Sequence, residues 1–189
     1  FNKPSDITPH DILPAKTVDL KSLARNENCF VWFGHSSYFI QVDGKRFLID
    51  PVLELKFPAS VMLSAFKTAV NYTTNDIPDI DYLVITHDHW DHLDYATVVE
   101  LKSRIGNVIC PLGVGEHFEF WEFDINKIIE LDWFESKQLD DRFVIEALPT
   151  RHFSGRGLTR NRTLWASYML QTPSDTIYIG GDGGYGIHI

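Results

Sequence analysis

Six consecutive residues, His87-Asp88-His89-Trp90-Asp91-His92, limit what this 189-residue chain can be more than any other stretch does. Imidazole and carboxylate donors suit zinc and similar divalent ions. Three histidines and two acids in six positions are improbable by chance in a chain with eight histidines. The segment follows an apolar run, Tyr82-Leu83-Val84-Ile85, that reads as a strand over 81–86. It precedes Asp94, whose carboxylate suits the N-cap of a helix over about 95–104 because it can accept from the first unpaired amides. In extended backbone His87 and His89 project to the same side. The loop beyond then turns Asp91 and His92 toward a second position beside the first.

The rest of the chain reads as a sheet protein. Residues 1–28 are polar, carry Pro4, Pro9 and Pro14, and form an extended lead-in to a domain over 29–189. A strand is expected over Cys29–Phe33. Two more, 38–42 and 46–50, flank Asp43-Gly44, a hairpin signal because both turn positions tolerate positive φ. Pro51 ends the second. An apolar segment with helical character spans 58–70. Further strands are expected at 108–110, 127–131, 143–148, 164–171 and 176–179, the last running into Gly180-Gly181-Asp182-Gly183-Gly184. Many strands, few helices and no repeat indicate an α/β protein with short crossovers and no linker dividing it.

Bulk properties exclude some functions. At 44% hydrophobic residues the chain can build a core, and its net charge of −9 argues against nonspecific nucleic-acid binding. No apolar run approaches the roughly 18 residues of a membrane-spanning helix. Cys29 and Cys110 sit in apolar strand-like runs and read as free thiols rather than a disulfide. The chain opens on Phe1, and the expected placement is cytoplasmic, a processed N-terminus being invisible at this level.

His-x-His-x-Asp-His after a short apolar strand resembles the metallo-β-lactamase superfamily. The resemblance implies an αββα four-layer sandwich and a two-metal site. By it His87 and His89 would hold metal one and Asp91 and His92 metal two. His152, after strand 143–148, would complete metal one, and Asp182 would bridge the pair. An ordered series narrows the likeness: Gly34-His35-Ser36, Ile49-Asp50-Pro51, Pro111-Leu112-Gly113, His152-Phe153-Ser154, Leu164-Trp165 and Gly181-Asp182-Gly183-Gly184-Tyr185. That order is similar to the branch containing N-acyl-phosphatidylethanolamine-hydrolysing phospholipase D. The family places one more second-metal histidine well after the bridging aspartate. His188 is too close to Asp182 to be it, so the domain is expected to lack its last strands and helix here.

Other residues carry two readings each. His35 and Asp50 match family positions behind the ligands, where a carboxylate fixes the tautomer of a ligating imidazole; Asp50 reads equally as a strand-end acid satisfying local amides. Arg151, Arg156, Arg160 and Arg162 crowd the stretch around His152. Guanidinium forks suit phosphate, and Arg156 is the candidate substrate contact, set against a solvated loop. The 58–70 segment and Phe118, Phe120, Trp121 and Phe123 suit core packing first, and an acyl groove or peripheral membrane contact second. His10 and His117 read as surface or packing histidines. Gly183-Gly184 reads as a tight turn holding Asp182.

The resemblance implies a hydroxide shared by two divalent ions, zinc by default with iron or manganese fitting too, that attacks phosphorus or carbonyl while Asp91 orients it. No Gly-x-Ser-x-Gly elbow competes with it. The leading expectation is a phosphodiesterase acting on a small or phospholipid-like substrate. A sugar-phosphate lactonase is the second, and a catalytically silent metal- or lipid-binding module the third.

Overall fold

The computed structural model describes residues 11–54 and 71–185. Among the described residues, ten strands form two sheets. The first has six strands in chain order: β1 (Cys29–Gly34), β2 (Ser37–Val42), β3 (Lys45–Ile49), β4 (Ile80–Val84), β5 (Ile105–Pro111) and β6 (Ile128–Leu131). Pairing is antiparallel from β1 to β3 and parallel from β3 to β6. The second sheet is antiparallel, in the order β10 (Thr176–Ile179), β9 (Ser167–Gln171), β8 (Phe143–Leu148), β7 (Ser136–Asp140).

The period of two along the central strands builds the layers. Phe47 and Ile49 of β3 and Tyr82 and Val84 of β4 pack with Phe143, Ile145, Tyr168 and Leu170, forming the core between the sheets. Leu48 and Leu83 face the other way. They pack with Val98 and Leu101 of helix α1 (Tyr95–Leu101) and Phe118 of helix α2 (Gly115–Phe120). The described residues thus supply three of the four expected layers, helices, sheet and sheet. Parallel pairs β4–β5 and β5–β6 are joined through α1 and α2, as parallel neighbours require a crossover.

Local signals act as their chemistry dictates. Asp43 and Gly44 take φ of 48° and 86°, so a two-residue turn joins β2 to β3. Asp94 caps α1, its carboxylate accepting from the Thr97 amide and hydroxyl at 3.1 and 2.6 Å. The described part of the lead-in is fastened to the first sheet: Leu20 is buried, and the Gln41 side chain donates to the carbonyls of Ala24 and Glu27 at 2.7 Å each.

Four readings of the sequence need adjustment. The polar strand β7 was not expected; it is an edge strand with exposed positions, so no apolar alternation marks it. The strand expected from Leu164 starts at Ser167, and the one expected over 108–110 extends across 105–111. Of the aromatic stretch, Phe118 and Phe123 are core while Phe120 is exposed. Cys110 is buried, Cys29 is half-buried, and neither is in a disulfide. The 58–70 segment, His10 and His188 lie outside the described residues, and no described helix is long and apolar enough to cross a membrane.

Candidate metal centre

The C-terminal ends of five strands converge on one spot, the crevice where open sheets of this kind bind ligands. His35 comes from the turn after β1, Asp50 follows β3, and His87 to His92 leave β4. His152 follows β8, and Asp182 follows β10.

His87 Nε2, His89 Nδ1 and His152 Nε2 form a triangle with edges of 2.9, 3.1 and 3.3 Å. Donors bonded at about 2.0–2.1 Å around one tetrahedral ion stand roughly 3.3 Å apart, so the three nitrogens are spaced as ligands of a single ion would be. Beside them, His92 Nε2 lies 3.2 Å from Asp182 Oδ2, and His87, His92 and Asp182 present donor atoms within 4.8 Å of one another. Asp91 Oδ2 lies 3.3 Å from His35 Nε2. Asp182 therefore stands between a three-histidine group and an Asp91–His92 group. All six expected ligands are brought together, and the donor set fits two divalent ions.

Behind the donors, Asp50 organises the site. Its Oδ1 accepts from the Thr86 amide at 2.8 Å and its Oδ2 from the Thr86 hydroxyl at 2.6 Å. Oδ2 also lies 2.8 Å from His92 Nδ1. A hydroxyl has one proton. Thr86 gives its proton to Asp50, so at 3.0 Å it must accept from His87 Nδ1. Both His87 and His92 are thereby protonated at Nδ1, and each turns Nε2 into the site. Reading the sequence missed Thr86 in this role; its position next to His87 was the available signal.

Electrostatics differ between the halves. Burial and the neighbouring imidazoles of His92, His89 and His152 push His87 far below the usual histidine range. Burial also lowers His89 and His152, so this group is neutral with lone pairs available. His92 goes the other way: burial opposes its charge, but the Asp50 and Asp182 carboxylates outweigh that and raise it to about 10. The bond from His92 holds Asp182 well below the usual carboxylate range, and the bond from His35 lowers Asp91.

The two ligand loops are fastened to each other. Arg156 Nη1 donates to the carbonyls of Asp88 and Leu93 at 3.0 and 2.6 Å, and its guanidinium lies 3.8 Å over the Trp90 ring. Trp90 Nε1 returns a bond to the Arg156 carbonyl at 3.1 Å. Through Nη1, Arg156 is seated as a brace between the loops. Asp88 alternates away from His87 and His89, and its Oδ1 accepts from the Gly155 amide at 2.6 Å. His117 is an ordinary packing residue stacked near Trp121, with Nε2 3.8 Å from Asp88. In the Asp182 turn, a Cβ on Gly183 would come within 2.1 Å of Thr150 Oγ1, and one on Gly181, at φ 56°, within 2.9 Å of Thr86. Both positions demand glycine.

Comparison with known proteins gives the family of the chain. The family described as the β-lactamase superfamily domain matches residues 45–187. An uncharacterised protein of Mycobacterium tuberculosis is 43% identical over 156 residues, covering 82% of this chain and 42% of its own length. N-acyl-phosphatidylethanolamine-hydrolyzing phospholipase D 1 of Caenorhabditis elegans is 27% identical over 200 residues, covering 97% of this chain and 55% of its own. The chain thus spans about half the length of the curated relatives it matches. Among solved structures, CmlA, a diiron β-hydroxylase from Streptomyces venezuelae, superposes with a TM-score of 0.65 at 24% identity, over 83% of this chain and 30% of that one.

Proposed function

Because the chain belongs to the metallo-β-lactamase superfamily, we propose that it is the metal-binding part of a hydrolase that cleaves phosphodiesters of small or phospholipid-like substrates. The observation that carries this reading is Asp182 standing between two donor groups, with His92 Nε2 3.2 Å from its Oδ2. The likeness to the nematode phospholipase D along 97% of the chain supports a phosphodiester substrate.

His87, His89 and His152 would hold one divalent ion, Asp91 and His92 the other, and Asp182 both. Such ions lower the pKa of bound water to near neutrality and polarise a phosphoryl oxygen. Asp91, kept ionised by His35, orients the attacking water through its carboxylate. Asp50 and Thr86 hold the imidazoles in the ligating tautomer. Zinc suits this histidine-rich set, and iron and manganese suit it nearly as well. A cytoplasmic enzyme with peripheral access to a membrane surface fits the same reading, and nucleic acid is not an expected partner.

Full-length protein supplied with zinc, iron or manganese would be assayed on bis-para-nitrophenyl phosphate, on N-acylphosphatidylethanolamine vesicles and on a sugar-phosphate lactone. Turnover of phosphodiesters with two equivalents of metal is expected. Lactone opening without phosphodiester turnover would replace this reading with a lactonase. Metal binding without any turnover would leave a silent metal-binding module.

A further inference from the structure

His35 belongs to the turn joining β1 to β2, and its backbone takes φ of 45° behind Gly34 at 121°. Positive φ at a residue other than glycine is uncommon and is kept where the surroundings over-determine it. Here they do. The indole of Trp32 donates to the His35 carbonyl at 2.8 Å, and the hydroxyl of the next residue, Ser36, donates to Asp182 Oδ1 at 3.2 Å. The turn is therefore built to aim this ring at the centre.

Where the ring arrives separates an outer partner from a ligand. An outer partner touches the far side of a ligating group, as Asp50 touches Nδ1 of His92. His35 Nε2 instead lies 3.2 Å from Nε2 of His92, the atom His92 turns into the site. It also lies 3.3 Å from Asp91 Oδ2 and 3.9 Å from Asp182 Oδ1. Two imidazole nitrogens facing each other between two carboxylates have the spacing of donors around one cation, roughly 3.3 Å for bonds of about 2.0–2.1 Å. His35, Asp91 and His92 all present donor atoms within 4.8 Å of one another. The ring is half exposed, at 48%, so it closes the solvent side of this group.

We infer that His35 is a direct ligand of the second ion through Nε2, joining Asp91, His92 and Asp182. The inference rests on the two-ion reading above and goes beyond it, since that reading draws no ligand from the β1–β2 turn. The described residues would then give the second ion four side chains, two imidazoles and two carboxylates.

The test uses full-length protein, zinc alone as the probe, and His35→Asn, which tolerates positive φ and removes the imidazole. Titration calorimetry and metal analysis should give two equivalents for the wild type. The variant should keep the first, with the second weakened by more than about 100-fold, beyond the usual effect of losing an outer hydrogen-bonding partner. Weakening by about 100-fold or less overturns the inference and leaves the two-ion reading intact. A wild type holding a single equivalent removes that reading and this inference with it. Diethylpyrocarbonate labelling of the wild type, mapped by mass spectrometry, needs no variant to fold. His35 should be modified in metal-free and singly loaded protein and protected by the second equivalent. Continued labelling with two equivalents bound overturns the assignment.

Discussion

Asp50 and His92 face each other at 2.8 Å with neither side chain exposed to solvent, and the same carboxylate oxygen takes the Thr86 hydroxyl proton. One buried acid thus sets the tautomers of two imidazoles, His92 directly and His87 through Thr86. Asp50→Asn keeps the shape but places a neutral amide where His92 and Thr86 both need an acceptor. Metal affinity should fall by roughly 10–100-fold, read by competition with a chromogenic chelator. Unchanged affinity would show that the imidazoles are oriented by packing alone.

The metal-free protein should lose stability as pH rises from 6.5 to about 8.5. His92 is raised from 6.5 to about 10 in the folded state, and its bond to Asp91 raises His35. Both therefore bind protons more tightly folded than unfolded. Their stabilising contribution is full below pH 6.5 and is lost as pH climbs toward the folded values, at no more than about 1.4 kcal/mol per pH unit for each group. Below pH 6.5 the sign reverses for His87, His89 and His152, which are lowered and must take up protons on unfolding. Urea midpoints in chelator-treated protein should fall between pH 6.5 and 8.5, and His92→Gln should flatten that limb. A midpoint that rises over this range contradicts the assignment of charge to His92.

Legibility in the sequence followed the physics of each element. The histidine motif, Asp94 and Asp43-Gly44 act through neighbours in the chain, so spacing alone exposes them. β3 and β4 announce themselves because they are buried on both faces. β7 is a polar edge strand whose partner is β8, and only tertiary pairing makes it a strand. His152 and Asp182 were placed through family likeness, because nothing local says that residues 65 and 95 positions beyond His87 will meet it. Thr86 and Arg156 escaped for another reason. Their roles are set by hydrogen bonds across loops, and the same residue types serve just as well on a solvated surface.

Replacing Arg156 should cost stability before it costs substrate affinity. Arg156→Met preserves much of the packing on Trp90 but strips the donor from the carbonyls of Asp88 and Leu93. Loosening the two ligand loops should lower unfolding stability by about 1–3 kcal/mol, the cost of leaving a buried polar group unpaired. Thermal melting of the metal-free variant measures this, and inhibition by inorganic phosphate should change little. A variant with unaltered melting but markedly weaker phosphate inhibition would favour Arg156 as a substrate contact over its role as a brace.

The Asp182 turn tolerates no side chain at Gly183, where a methyl would stand 2.1 Å from Thr150 Oγ1. The turn is held at both ends, by the Gly183 amide on the Gly180 carbonyl at 3.3 Å and the Gly184 amide on the Arg151 carbonyl at 3.0 Å. It cannot shift without carrying Asp182 away from His92. Gly183→Ala should therefore destabilise the fold by about 1–3 kcal/mol, as overpacking does, and also weaken the second metal equivalent. Thr150→Ser keeps the offending oxygen, whereas Thr150→Ala removes it. Adding Thr150→Ala to Gly183→Ala should recover most of both losses, measured by urea unfolding and metal titration. Failure of that double variant to recover metal binding would mean that the backbone conformation at Gly183, rather than the contact with Thr150, controls where Asp182 points.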